Sequence, residues 1–355
     1  MFYKPQKKLA VLISALAATC LLIVPGCGSD SSSDTTEALS TTTMAVATTT
    51  TVAPTTTTVA PEPVEKPLIV VTTNILGDVV SKAVGELFDV ETIMPPGADP
   101  HVFQASAKQV DRMMKADLLV VNGANFEEGL LDVIKGAESD GVKVFEAMNS
   151  VDPLEAHDEE GHDDHEGHDD HHGHDHGGVD PHFFTDPGRM AQVVNQLSDF
   201  LVLNFPEIDG EDLVSHMADY SKKLTDLDSE VMQTLSSIPE SSRVLVTNHE
   251  VFAYFAESYD FKILGTIIPS PSTLSNASAK DLVDLAEEMK AEGVLAVFVD
   301  SSSSDALADA LAGELDGVAV VTLFSESLGP EDSAGSTYLD MVRTNSELIA
   351  SALTG

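Results

Sequence analysis

From residue 68 onward the chain alternates short, unbroken apolar runs with stretches of helical period. Leu68-Ile69-Val70-Val71-Thr72 is a strand pattern that stops at Thr73-Asn74, and a helical pattern from Ile75 to Val84 follows it and is closed by Gly85. The unit recurs. Val90 to Met94 reads as strand, Ser106 with Gln109 forms a capping box for a helix through Lys115, and Asp117 to Val121 reads as strand again. Glu127 to Gly136 is helical and Val142 to Phe145 is strand-like. Strands that are apolar on both faces and alternate with helices predict a parallel sheet covered on both sides.

A second set of strands falls near Val244 to Thr247, Lys262 to Ile267, Val294 to Val299 and Val318 to Leu323. The helices between and after them fall near Tyr254 to Glu257, Ala279 to Ala291, Asp305 to Glu314 and Thr337 to Leu353. Between the two sets, Glu211 to Ser236 contains no Gly or Pro, and Leu213, Met217, Tyr220, Leu224, Leu227, Val231 and Leu235 recur at intervals of three and four. This is one long amphipathic helix. The predicted fold is α/β: two Rossmann-like lobes with parallel sheets, 68–209 and 239–355, joined by a linker helix over 210–238. Ligands of parallel sheets bind beyond the carboxyl ends of the strands, so the site is expected in the cleft between the lobes.

The first 67 residues do not share this pattern. Lys4, Lys7 and Lys8 precede an apolar stretch from Leu9 to Val24 and then Pro25-Gly26-Cys27, which reads as an export signal over 1–26 with Cys27 as the lipidated first residue of the mature chain. The other cysteine, Cys20, lies inside the signal, so no disulfide forms within a mature chain. Residues 27–67 are a tether rich in Ser, Thr and Pro, outside the fold. The expected location is the outer face of a bacterial cell membrane, held there by the lipid.

The formal net charge is −41, and removing three signal lysines and no acid gives −41 − 3 = −44 for the mature chain. Such a body repels nucleic acid and anionic membrane surfaces and attracts cations. There is no Trp, which argues against stacking-based recognition of sugars or bases. Eight of the 12 histidines, His157, His162, His165, His168, His171, His172, His174 and His176, lie in an acidic loop spanning 155–179. The loop offers nothing to bury and many ligands for Zn²⁺ and its neighbours, which makes it an accessory metal site.

Of the four remaining histidines, three follow predicted strands. His101 lies in Asp99-Pro100-His101, His182 in Asp180-Pro181-His182, and His249 in Thr247-Asn248-His249-Glu250. In the two Asp-Pro-His tripeptides the proline fixes its own φ and extends the preceding Asp, giving a stiff loop. His216 lies on the linker helix and is read as a helix residue without a functional role. No zinc-finger spacing joins these histidines, so the sequence leaves their convergence open.

With these motifs the chain resembles the metal-binding lipoproteins of zinc and manganese ABC importers, the ZnuA-type solute-binding proteins. The resemblance rests on Pro96-Gly97-Ala98-Asp99-Pro100-His101, Asp180-Pro181-His182, Thr247-Asn248-His249-Glu250-Val251-Phe252-Ala253-Tyr254-Phe255 and Tyr338-Leu339-Asp340-Met341-Val342-Arg343-Thr344-Asn345. It implies a metal held in the cleft by one side chain from each of four segments, with His101, His182 and His249 as three of them. The fourth is usually an Asp after the last strand. Here Leu323-Phe324-Ser325-Glu326-Ser327-Leu328 offers Glu326, with Asp300 or a water as the alternatives. The resemblance also implies an ABC permease and its ATPase as partners.

The expected function is capture of Zn²⁺ and its delivery to the permease by a monomer, with Mn²⁺ the alternative cargo. Three imidazoles and a carboxylate fill tetrahedral zinc, leaving no open position for catalysis. Affinity is expected to fall below about pH 6.5, where the ligands protonate. Asp99, Asp180 and Glu250 are the candidate acceptors for the ring N–H groups. Two rival readings are a metallohydrolase with Glu250 or Glu326 as base and a metal-dependent adhesin. The Ser301-Ser302-Ser303-Ser304 run lacks a glycine cradle and reads as a turn.

Overall fold

A computed structural model of the chain describes residues 66–155 and 178–354. These residues fall within one unit, Pro63–Gly355. Cys27 and the histidines from His157 to His176 lie outside the described residues. The first sheet holds β1 (Leu68–Val71), β2 (Asp89–Thr92), β3 (Leu118–Val121) and β4 (Lys143–Glu146), all parallel, in the order β2-β1-β3-β4. The second holds β5 (Val244–Thr247), β6 (Lys262–Thr266), β7 (Ala296–Asp300) and β8 (Ala319–Leu323), also parallel, in the order β6-β5-β7-β8. The same strand order in both halves puts the chain reversal of each sheet beside its first strand. Loops from both sheets can therefore converge.

Helix boundaries follow local chemistry. Thr73 caps α1 (Asn74–Val84) by accepting from the Leu76 N–H, and Gly85 ends it at φ 59°. Ser106 and Gln109 form the expected capping box of α2 (Ala107–Met114). The helix read over Glu127 to Gly136 begins later than the sequence pattern implied: Glu128–Leu130 is a 3₁₀ turn and α3 covers Leu131–Ser139. One helix has no counterpart in the sequence reading, α4 (Pro187–Asn204), whose Asp186 cap and Pro187 at the first position were its available signal. Asp209 caps α5 (Gly210–Leu235), the predicted linker helix. In the second lobe lie α6 (Ala253–Tyr259), α7 (Ala279–Glu292), α8 (Ala306–Gly313) and α9 (Tyr338–Thr354).

The linker is not a bare rod. Its stripe of Leu213, Met217, Tyr220, Leu224, Leu227, Val231 and Leu235 is buried, and α5 packs against α1 and α4 of the first lobe and α9 of the second. One apolar cluster therefore runs from Val71 and Leu118 through α4 and α5 to Phe298 and Leu353. Two smaller clusters back the other face of each sheet, around Leu119 in the first lobe and Val297 in the second. Polar ties add direction: the Tyr338 hydroxyl donates to Phe184 O at 2.8 Å, and the Tyr259 hydroxyl to Asp228 at 2.7 Å. Among the described residues no helix is long and apolar enough to cross a membrane.

Leu224 is fully buried in the middle of this stripe, whereas Val214 on the same helix is 48% exposed. Leu224→Ala is expected to cost about 2–5 kcal/mol of unfolding free energy and Val214→Ala less than about 0.5 kcal/mol, read as shifts of the urea midpoint. Equal shifts would mean that the helix does not carry the shared core.

Candidate metal centre

Each loop that carries a candidate ligand is built so that its backbone is fixed before the side chain acts. In both Asp-Pro-His tripeptides the Asp carboxylate accepts the backbone N–H of the His two residues on, Asp99 from His101 and Asp180 from His182, each at 2.9 Å. The stiffness read from the proline is thus reinforced by a second local bond. After β5, the Thr247 hydroxyl donates to His249 O at 2.7 Å. After β8, Asp300 accepts from the backbone N–H groups of Ser325 and Glu326, both at 2.9 Å, and from the Ser325 hydroxyl at 2.8 Å. It also accepts from Ser302, so its carboxylate staples the Glu326 loop to the end of β7.

These loops bring His101, His182, His249 and Glu326 together. One ligand atom from each lies within 4.8 Å of all the others, and all four residues are buried. The Glu326 carboxylate is at the centre: its oxygens stand 3.4 Å from His101 Nε2, 3.4 Å from His182 Nε2 and 3.2 Å from His249 Nε2. A tetrahedron with zinc-like arms of 2.0–2.1 Å has edges of about 3.3 Å, so these contacts have the length of ligand-to-ligand edges. None of the five atoms at these contacts, the three Nε2 nitrogens and both Glu326 oxygens, makes a hydrogen bond, although all are shut off from solvent. Buried polar atoms are ordinarily paired, and a cation between them would satisfy the set at once. Asp300 and His216 stand outside the cluster, the former spent on its loop and the latter exposed on α5.

The rings of His182 and His101 face different kinds of partner. Asp180 Oδ1 lies 2.7 Å from His182 Nδ1, which places the proton there and turns the Nε2 lone pair to the cluster. Asp99, the matching residue of the other tripeptide, does not do this for His101. Its second oxygen takes the Thr273 hydroxyl at 2.8 Å, and His101 Nδ1 instead faces Glu128 at 3.3 Å. Glu250, the third candidate acceptor, donates its backbone N–H to Ser270 O at 3.1 Å. Phe126 meets both His101 and His182 edge-on, with centroids 5.0 Å and 5.5 Å away.

The sequence reading overlooked the loop after β3 that supplies these groups. Asn122 donates to Pro181 O at 3.0 Å, and buried Glu127 accepts from the Thr72 hydroxyl at 2.5 Å and the Asn122 N–H at 2.7 Å. Asn122 to Glu128 directly follows a strand carboxyl end, and that position was the signal. Both lobes then grip the site. Asn74 donates to the Ser327 hydroxyl and accepts from the Leu328 N–H, each at 2.7 Å, and the Tyr254 hydroxyl donates to Asp180 O at 2.9 Å.

Two lobes with one ligand pair each, closed around an orphaned nitrogen and oxygen set, are the architecture of a solute-binding protein for a metal ion. The chain matches the ZnuA family, described as zinc-uptake complex component A, periplasmic, over residues 69–352, and it belongs to that family. It is 29% identical to the zinc-binding protein TroA of Treponema pallidum (strain Nichols) over 293 residues, which are 81% of this chain and 89% of that one. It is 27% identical to the manganese-binding lipoprotein MntA of Bacillus subtilis (strain 168) over 292 residues, 80% and 89% of the two chains. The solved structure of the periplasmic zinc-binding protein TroA from Treponema pallidum superposes with a TM-score of 0.70 at 27% identity, covering 82% of this chain and all of that one. The protein is therefore the solute-binding component of a metal ABC importer, a class that works with a permease and an ATPase and is not enzymatic.

The electrostatics of the ligand set give it a pH dependence. Burial disfavours a charged ring at His101, but the carboxylates of Glu128 and Glu326 outweigh it and push its pKa up to about 10. Burial likewise acts against a charged Glu326, and the surrounding histidines overcome it and hold the carboxyl below its usual range. A histidine with a raised pKa keeps its proton throughout the neutral range, and a metal must displace that proton to bind. Zinc affinity is therefore expected to keep rising with pH through 7 and 8, rather than levelling off just above the ordinary histidine pKa, with net proton release seen in titrations in two buffers of different ionisation enthalpy. Affinity independent of pH between 7 and 8 would contradict this charge arrangement.

Proposed function

We propose that the cargo is Zn²⁺, bound by His101, His182, His249 and Glu326 and handed to the permease. The observation that carries this reading is the donor set: three imidazole nitrogens and one carboxylate, buried, with the carboxylate at tetrahedral edge length from each nitrogen and one ligand atom from each residue within 4.8 Å of the others. Imidazole-rich four-coordinate sites suit zinc, whereas manganese prefers six oxygen-rich ligands. The relatives do not decide the matter, since TroA is named for zinc and MntA for manganese. Glu326 carries one methylene more than the Asp that the family resemblance would place there, and its carboxylate spans to all three rings.

The wider reading follows the sequence. Cys27 is the lipid attachment point, residues 27–67 tether the domain outside the membrane, and the protein works as a monomer. The histidines between His157 and His176 form a weaker accessory site. The described residues on either side of that segment meet in an isolated antiparallel bridge, Glu155 to Val179, so the loop leaves and re-enters the first lobe at one point. Asp180, which orients His182, follows one residue after that bridge.

Competitive zinc titration of residues 66–355 tests the reading. The wild type is expected to show one tight site, and the triple change His101→Ala, His182→Ala and His249→Ala to lose it while weaker binding by the loop persists. Mn²⁺ is expected to compete for the tight site at much lower affinity, and a manganese affinity equal to that for zinc would reassign the cargo. Deletion of 157–176 is expected to leave the tight site in place, and its loss on deletion would make the loop the principal site.

A further inference from the structure

The two Asp-Pro-His loops have the same backbone but not the same ring support. Asp180 serves both the backbone and the ring of His182 through one oxygen, while Asp99 is spent on the His101 backbone and on Thr273. His101 Nδ1 has no hydrogen bond among the described residues, and the carboxylate facing it, 3.3 Å away, is Glu128 from a different loop. The same Glu128 oxygen accepts the hydroxyl of Ser272, which lies on the loop between β6 and α7 of the other lobe. The His101 side chain is 2% exposed and that of Glu128 33%, so Glu128 stands between the ring and solvent. Its place depends on the next residue. A Cβ at Gly129 would come within 2.1 Å of Phe103 O, so only glycine lets the 128–130 turn lie against the chain just beyond His101.

We propose that Glu128 is the positioning residue of His101: it holds Nδ1 so that Nε2 faces the cargo, and its link to Ser272 makes that support depend on the second lobe. This rests on the cleft reading given above. Glu128 thus does for His101, from another loop, what Asp180 does for His182 from within its own tripeptide. Carboxylates in that role are worth about 10- to 100-fold in metal affinity.

The test is a double-mutant cycle on residues 66–355 with zinc as the probe, using wild type, Glu128→Ala, His101→Ala and the double variant. Glu128→Ala is expected to weaken zinc binding by about 10- to 100-fold in the wild-type background and to change little once His101 is gone. Glu128→Gln, which keeps an acceptor oxygen, should recover part of the loss, and Ser272→Ala should show a smaller loss in the same direction. An equal loss in both backgrounds would make Glu128 merely one negative charge at the mouth, and no loss in either would remove it altogether; both overturn the proposal. If His101→Ala alone left affinity unchanged, the cleft reading would fall and this one with it.

Discussion

A carboxylate enclosed by three imidazoles and shut off from solvent is the constraint around which the described structure is organised. Left alone, such a group costs more to bury than any single apolar contact returns. Glu326 tolerates burial because two histidines from one lobe and one from its own lobe stand 3.2–3.4 Å away. Neither lobe could hold this arrangement by itself. The first would present two imidazoles to solvent, and the second would carry one imidazole and a carboxylate with its charge unmet.

That dependence explains why so many hydrogen bonds near the site cross from one lobe to the other. Asn74 is bonded to Ser327 and Leu328, Asp99 to Thr273, Glu128 to Ser272 and the Tyr254 hydroxyl to Asp180 O. Each tie involves a loop that carries one of the four clustered groups or a residue that faces one. Behind them the continuous core along α5 holds the lobes in register, so the ligand geometry is supported by apolar packing on one side and polar bonds on the other. A site for transport has to give its cargo up again, and hydrogen-bonded ties among hydroxyl, amide and carboxylate groups can be exchanged for bonds to water. A wholly apolar seam would not open so readily.

The same organisation accounts for the absence of catalysis in the class. The four clustered groups face one another, and on the zinc reading proposed above a filled tetrahedron would leave no coordination position at which a substrate water could be activated. Glu250, a candidate base in the hydrolase reading, is not one of the four clustered groups. Adhesin function, the other rival, would call on the outer surface of the lobes rather than on this buried cluster.

Much was legible in the sequence because it is local. Apolar runs of four or five residues, the Ser106 and Gln109 capping box and the period of Leu213 to Leu235 are properties of neighbouring residues, and the strands and linker helix follow from them. The Asp-Pro-His tripeptides were equally local, and each folds into the same Asp-to-backbone bond. The helix Pro187–Asn204 was missed because its apolar positions, such as Met190, Val194 and Leu201, serve a core shared with α5 and were not set off by a neighbouring strand. Only the tertiary structure decided that three histidines spaced by 81 and 67 residues meet one glutamate, that Asp300 staples a loop instead of joining them, and that Glu128 rather than Asp99 faces the His101 ring. The reason is that a residue's type and spacing fix what it can bond, whereas what it does bond depends on which loops two separately folded sheets bring within 4 Å of each other.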